Sequence, residues 1–149
     1  MPNWCHNKLT IRGPAKEIAG FKEQAVGHSP WLTPEEIQND PAAVLNLHSL
    51  LPIPEDVLAA GYSAAGYDWE EENWGCKWGA ANSTILDERD GLVEYEFDTA
   101  WSPPMEFLET VAKKWSSLVF VLEYEEPGMG FKGLAKFRGE VCENHCVSL

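Results

Sequence analysis

The dipeptide Asp90-Gly91, set between two runs of alternating residues, restricts the fold more than any other feature of the chain. Asp-Gly suits a two-residue hairpin turn, where the backbone must adopt positive φ to match the twist of the strands it joins. After the turn, Val93, Tyr95 and Phe97 face one way, and Glu94, Glu96 and Asp98 face the other. Residues 81–88 supply the partner strand. This alternation describes an antiparallel sheet with one dry face and one wet face. The rest of the sequence must cover the dry face.

The flanking segments fit that task. Residues 3–12 read as a strand, with Cys5, Leu9 and Ile11 on one face and His6, Lys8, Thr10 and Arg12 on the other. Gly13-Pro14 ends it and opens a helix. That helix carries the apolar stripe Ile18, Phe21, Ala25 and Val26, and Gly27 stops it. Beyond the hairpin, Ser102 is a candidate N-cap before Pro103-Pro104. The next apolar stripe is Met105, Leu108, Val111, Ala112 and Trp115. Leu118–Leu122 is continuously apolar and reads as a central strand. Pro127-Gly128 then turns the chain into a last strand over 131–141. Between 28 and 72, five prolines break the periodicity, and short helices are expected near 34–39, 41–48 and 54–60. Leu50-Leu51-Pro52-Ile53-Pro54 is too apolar for water and should pin this segment to the body. The expected fold is α+β, a ferredoxin-like (split βαβ) antiparallel sheet with helices on one face. Residues 1–149 are expected to form a single domain with an insertion at about 28–72.

Charge narrows the function. Eleven Lys and Arg against 24 Asp and Glu leave a net charge of −13, which opposes direct binding of nucleic acid or of anionic membranes. The N-terminus has no signal peptide pattern and no apolar run is long enough to span a bilayer, so a soluble cytoplasmic protein is expected. Cys142, His145 and Cys146, with distant Cys5 or His6, have the residue types of a zinc site. Their C-x3-C spacing lacks a second pair, so free thiols near a loose C-terminus are the simpler reading, with no metal and no cofactor.

Three strings then stand in order: Met1-Pro2-Asn3-Trp4-Cys5-His6-Asn7-Lys8-Leu9-Thr10-Ile11-Arg12-Gly13; Asn73-Trp74-Gly75-Cys76-Lys77-Trp78-Gly79-Ala80; and Phe97-Asp98-Thr99-Ala100-Trp101-Ser102-Pro103-Pro104. The last is followed by Tyr124-Glu125-Glu126-Pro127-Gly128 and Phe131-Lys132-Gly133. Together they resemble the YubB-like family of small plasmid, phage and mobile-element proteins, over nearly the whole chain. The resemblance implies a ferredoxin-like domain and a mobile-element setting, and it carries over no catalytic residue. The chain departs from the family pattern at Cys76 and Gly79, where Thr and Asp are expected, so a constellation built on that pair would be missing here.

Seven tryptophans are many for 149 residues, and Trp74, Trp78 and Trp101 fall inside the specific strings. Acids gather beside them at 68–72, 94–98 and 123–126. Aromatic faces next to carboxylates attract cations. The expectation is a non-enzymatic accessory binding module whose Trp-lined acidic cleft uses Trp74, Lys77, Trp78, Asp98, Trp101 and Glu126 to bind a cationic small molecule or a basic peptide. The competing reading buries these tryptophans as core and pairs Lys77 with the acids at 70–72. Two alternatives stay open: a protein-interaction or DNA-mimic module acting on host machinery through the acidic sheet face, and an enzyme assembled from Cys76, Lys77, Asp98 and Thr99. The protein is expected to be a monomer or a homodimer joined through a strand edge or an apolar patch.

Overall fold

The computed structural model describes residues 2–149, so Met1 of the opening string lies outside it. The strands are β1 (Trp4–Arg12), β2 (Ala81–Arg89), β3 (Leu92–Ala100), β4 (Val119–Glu126), β5 (Phe131–Arg138) and β6 (Val141–Ser148). They form a six-stranded sheet in the order β2-β3-β1-β4-β5-β6. Every pairing is antiparallel. Helices α1 (Ala15–Ala25) and α6 (Met105–Lys114) are the long ones, and the first four strands with these two helices make the split βαβ plan. The α+β ferredoxin-like expectation therefore holds.

Strand β1 sits between β3 and β4, and its alternation sets the two faces. Cys5, Asn7, Leu9 and Ile11 are buried, as are Val93, Tyr95 and Phe97 on β3 and Phe120, Leu122 and Tyr124 on β4. Across the strands Leu9 lies opposite Tyr95 and Leu122, and Ile11 opposite Val93 and Phe120. From α1 come Ile18, Phe21 and Ala25; from α6 come Phe107, Leu108, Val111 and Ala112. Phe21 lies at the centre, with ring centroids 5.4 Å from Trp115, 5.7 Å from Phe120 and 6.4 Å from Tyr95. The Asp90-Gly91 turn joins β2 to β3, with Gly91 at φ +79°, a conformation that side-chain-bearing residues rarely hold.

The segment between α1 and β2 contains α2 (Pro34–Asn39), α3 (Leu47–Leu50), α4 (Glu55–Ala60), a π-helical turn at Tyr62–Gly66, and α5 (Tyr67–Asn73). Leu45, Leu47, Leu50 and Ile53 are buried in the same cluster as the sheet residues, so the apolar run does pin the segment down.

Several details differ from the sequence reading. A helix over 41–48 is replaced by an extended stretch, where Ala43 bridges Gly27, and by the short α3. The cause is Asn46, whose side chain accepts the Ser49 N–H at 2.9 Å and so starts the helix late. Val26 leaves the α1 stripe, because the helix ends at Ala25 and Val26 is extended and exposed. Ser102 does not cap α6; its hydroxyl donates to the Gly75 carbonyl at 2.6 Å, and Pro104 holds the cap position. β4 is longer than its apolar run and alternates, with Glu123 and Glu125 on the wet face. The last strand is really two strands, β5 and β6, and the C-terminus is paired rather than loose.

Phe21→Ala is expected to cost about 3–5 kcal/mol, the usual price of emptying a buried aromatic site. Equilibrium urea unfolding monitored by circular dichroism measures it.

Candidate functional site

A cleft of about 220 Å³ opens between the 27–48 segment, α5 and the 74–80 loop. Its lining includes Trp31, His48, Glu70, Trp74 and Trp78. An adjoining depression of about 370 Å³ is lined by Ser29, Trp31, Tyr62 and Trp78. Trp31 and Trp78 are common to both.

Glu70 organises this region. Its residue is fully buried, yet α5 is otherwise acidic and mostly in water. One carboxylate oxygen accepts the Trp31 indole N–H at 2.8 Å, and the other accepts the Trp78 backbone N–H at 2.6 Å. Burial pushes its carboxyl up; the hydrogen bonds from Trp78 and Trp31 push the other way, and Glu71 adds a smaller upward push. Glu70 thus fixes two aromatic residues that lie 39 and 8 positions from it in sequence.

Trp78 is held in an uncommon conformation. Its φ is +70°, Gly79 follows at +78°, and Trp78 as a residue is 48% exposed. A bulky residue in the left-handed region costs on the order of 1–3 kcal/mol, and such strain gathers at functional sites. The Trp31 and Tyr62 rings meet edge-on at 5.5 Å, completing an aromatic corner with Trp78. The Tyr62 hydroxyl is buried without a hydrogen-bond partner, and burial pushes its pKa up to about 12. His48 accepts the Ile53 N–H on Nδ1 at 3.0 Å, and burial lowers its pKa, so it stands in the cleft as a neutral ring. Asp40 and Glu70 are the carboxylates of the lining, and no Lys or Arg is among its described residues.

The six residues singled out from sequence divide into two groups. Trp74 and Trp78 line the cleft, although Trp74 is core, 2% exposed, with its indole N–H donated to the Leu51 carbonyl. Lys77 lies over the Trp78 ring at 4.2 Å and makes no ion pair among the described residues, so the expected bridge to acids 70–72 is replaced by a cation–π contact. Asp98, Trp101 and Glu126 line neither opening. Asp98 is on the wet face, 2.7 Å from His6 Nδ1 and 3.3 Å from the Asn82 amide. Trp101 is 41% exposed at φ +71°, and its N–H donates to the Asn3 carbonyl. Glu126 is buried and accepts the Met129 N–H, while its other oxygen has no partner. Glu70, Trp31 and Tyr62 were not singled out. Glu70 sits within a run of solvated acids, and no local pattern separates a buried acid from its exposed neighbours.

The enzyme constellation does not assemble. Cys76 is fully buried, and burial raises its thiol pKa, the opposite of an activated nucleophile. Burial pushes Cys5 up to about 12, with Glu126 adding to it. Among the described residues no cluster of three His, Cys, Asp or Glu side chains is placed to hold a metal ion. Cys142 and Cys146 share one face of β6, and His145 points to the other. No described helix is long and apolar enough to cross a membrane. The wet face of the sheet carries a shallower dish of about 590 Å³, where Lys8 lies 3.9 Å from Glu94 and 3.7 Å from Glu123.

The model of a family described as the ferredoxin-like domain in Api92-like protein matches residues 73–147, about half of the chain. No curated protein matches. Among solved structures, the crystal structure of protein api92 from Yersinia pseudotuberculosis aligns with 100% of this chain and 99% of that one. The TM-score is 0.77 at 11% identity, a likeness of fold.

The raised Glu70 pKa gives a signed pH dependence. The folded state binds the Glu70 proton more tightly than the unfolded chain, so this group favours folding most at low pH. Its contribution should fall as pH rises from about 4.3, the ordinary glutamate value, through the raised folded value. The stability of the wild type relative to Glu70→Gln is therefore expected to decline across that window and then level off. Urea unfolding of both proteins from pH 4 upward measures it; a difference that grows with pH would contradict the assignment.

Proposed function

Since the chain belongs to the Api92-like family of ferredoxin-like domains, we propose that it is a non-enzymatic accessory binding module whose cleft takes the cationic head of a small molecule or of a basic peptide side chain. The observation that carries this reading is the corner made by Trp31, Tyr62 and Trp78, with the Glu70 carboxylate tying two of its three members together. Ring faces beside a carboxylate attract quaternary ammonium and guanidinium groups. Lys77 already rests on the Trp78 ring, so that face accepts a cation in this fold. At about 370 Å³ the depression at this corner lies at the small end of the ~300–1,000 Å³ of drug-sized sites, which favours a single charged head over a large ligand. In this proposal Trp74 backs the wall, Asp98 and Trp101 act on longer partners such as a basic peptide, and Glu126, which is buried, only braces the chain at Met129.

The DNA-mimic reading has weaker support, because Lys8 interrupts the acids of the sheet face. The YubB-like kinship, the mobile-element setting and a cytoplasmic location are part of the proposal, supported by the three strings and by four free thiols. So is the reading of 1–149 as one domain with an insertion, supported by the core that the insertion shares with the sheet.

Titration with tetramethylammonium or a hexa-arginine peptide is expected to quench Trp fluorescence and raise the melting temperature. Trp78→Gly removes the ring and suits the positive φ, so it should keep the fold and abolish both responses. An unchanged response in a folded Trp78→Gly protein would sink the cleft. For the single-domain reading, urea unfolding followed by far-UV circular dichroism and by Trp fluorescence should give coincident transitions. Separated transitions would indicate two units.

A further inference from the structure

The two edges of the sheet are built differently. On β2 the pairing with β3 slips between Ala81 and Thr84 and again between Ile85 and Asp87, and Asn82 has φ +54°. Such bulges protect an edge from pairing with another chain. On β6 the register with β5 runs unbroken from Val141 to Ser148. The strand has no Lys and no Pro, and all eight residues are exposed. Helix α6 packs against β4 and β5, which leaves both faces of β6 uncovered. Leu134, Val141, Val147 and Leu149 are all among the large exposed apolar residues.

The sequence of β6 is nearly palindromic about Asn144: in Val141-Cys142-Glu143-Asn144-His145-Cys146-Val147 the valines and cysteines match on reversal, and Glu143 and His145 exchange places. In an antiparallel pair of two copies with the two-fold axis at Asn144, Val141 meets Val147, Cys142 meets Cys146, and Glu143 meets His145, each twice. The backbone agrees with this register. The Leu149 N–H bonds to the Gly130 carbonyl across β5, so odd-numbered residues of β6 direct their N–H and C=O groups toward β5. Cys142, Asn144 and Cys146 therefore present theirs to the open edge. In the palindromic register these are the residues that oppose one another and exchange both hydrogen bonds. Shifting the axis by one residue toward the N-terminus sets Glu143 against Glu143, a like-charge pair that destabilises.

We propose that the β6 edge is a self-association surface: two copies pair antiparallel about Asn144 and join their sheets into one. The occupant is a second copy of this chain. The arguments for it are the complementarity of Glu143 with His145, the matched Val and Cys pairs, and the absence of edge protection on β6.

Sedimentation at sub-millimolar concentration is expected to give a dimer. Cys146→Pro removes an outward N–H that β5 does not use, and it should give a folded monomer. If circular dichroism finds that variant unfolded, Glu143→Lys should weaken the dimer and the double variant Glu143→Lys/His145→Glu should restore it. Cysteine pairing then reads the register. In the palindromic dimer, Cys142 and Cys146 of opposite copies have Cα atoms about 5.5 Å apart, within disulfide range. Identical cysteines lie four residues apart along the strands, about 13 Å, beyond that range. Diamide, which takes up the two electrons and two protons of the thiol pair, should yield covalent dimers of the wild type. Cys142→Ser alone and Cys146→Ser alone should yield none, and an exchanged mixture of the two should yield the heterodimer. Cys5 and Cys76 are buried and stay reduced in every sample. A monomeric wild type, a dimeric Cys146→Pro protein, or cross-linking of either single variant alone to the extent of the mixture would each overturn the proposal.

Discussion

One chain of buried and half-buried hydrogen bonds holds the site end of the molecule together. The Asn7 amide, on the dry face of β1, donates to the Thr99 hydroxyl at 2.9 Å and to the Cys5 carbonyl at 3.1 Å. The Thr99 hydroxyl donates to the Ser102 carbonyl at 2.6 Å, and the Ser102 hydroxyl donates to the Gly75 carbonyl at 2.6 Å. Each of the three motif strings contributes to this chain. An unpaired polar group in a core costs about 1–3 kcal/mol, so a network of this kind holds only when every member is satisfied. It ties the 74–80 loop to the central strand, and the position of Trp78 depends on that tie.

The second constraint is Glu70. Burying a carboxylate without a cation is expensive, and hydrogen bonds to the charged form, stronger than neutral ones, repay part of it. The donors here are a Trp side chain and a backbone N–H, so the acid positions an aromatic wall on one side and a strained backbone on the other. Glu126 is buried on less complete terms, since one of its oxygens has no partner. The two acids show why composition misleads here. Most of the excess negative charge is solvated, but these residues are part of the packing.

Much of the fold was legible because its signals are local. The alternation in β1 and β3, the Asp90-Gly91 turn and the stripes of α1 and α6 arise from periodicity within a few residues. The short helix expected near 34–39 is present as Pro34–Asn39, with Thr33 as its cap. The misses were competitions between local and distant partners. Ser102 has the chemistry of a cap, yet Gly75 takes its hydroxyl. The polar residues of β6 resemble a loose tail until β5 supplies their hydrogen bonds. Of the site, the motif tryptophans were visible as a type. Which of them line an opening depended on the 27–48 segment that packs beside them.

By itself the sequence determined the sheet with one wet face, the two covering helices, the acidic balance and the strings that mark the working end. These follow from side-chain period and turn chemistry, which a short stretch carries alone. Only the tertiary structure decided that Glu70 is buried, that Trp31 and Tyr62 join Trp78, that Trp101 and Asp98 stand elsewhere, and that β6 is an uncovered edge. Those are facts of burial and of long-range pairing. They depend on what packs against a residue, and no short stretch of sequence contains its own neighbours.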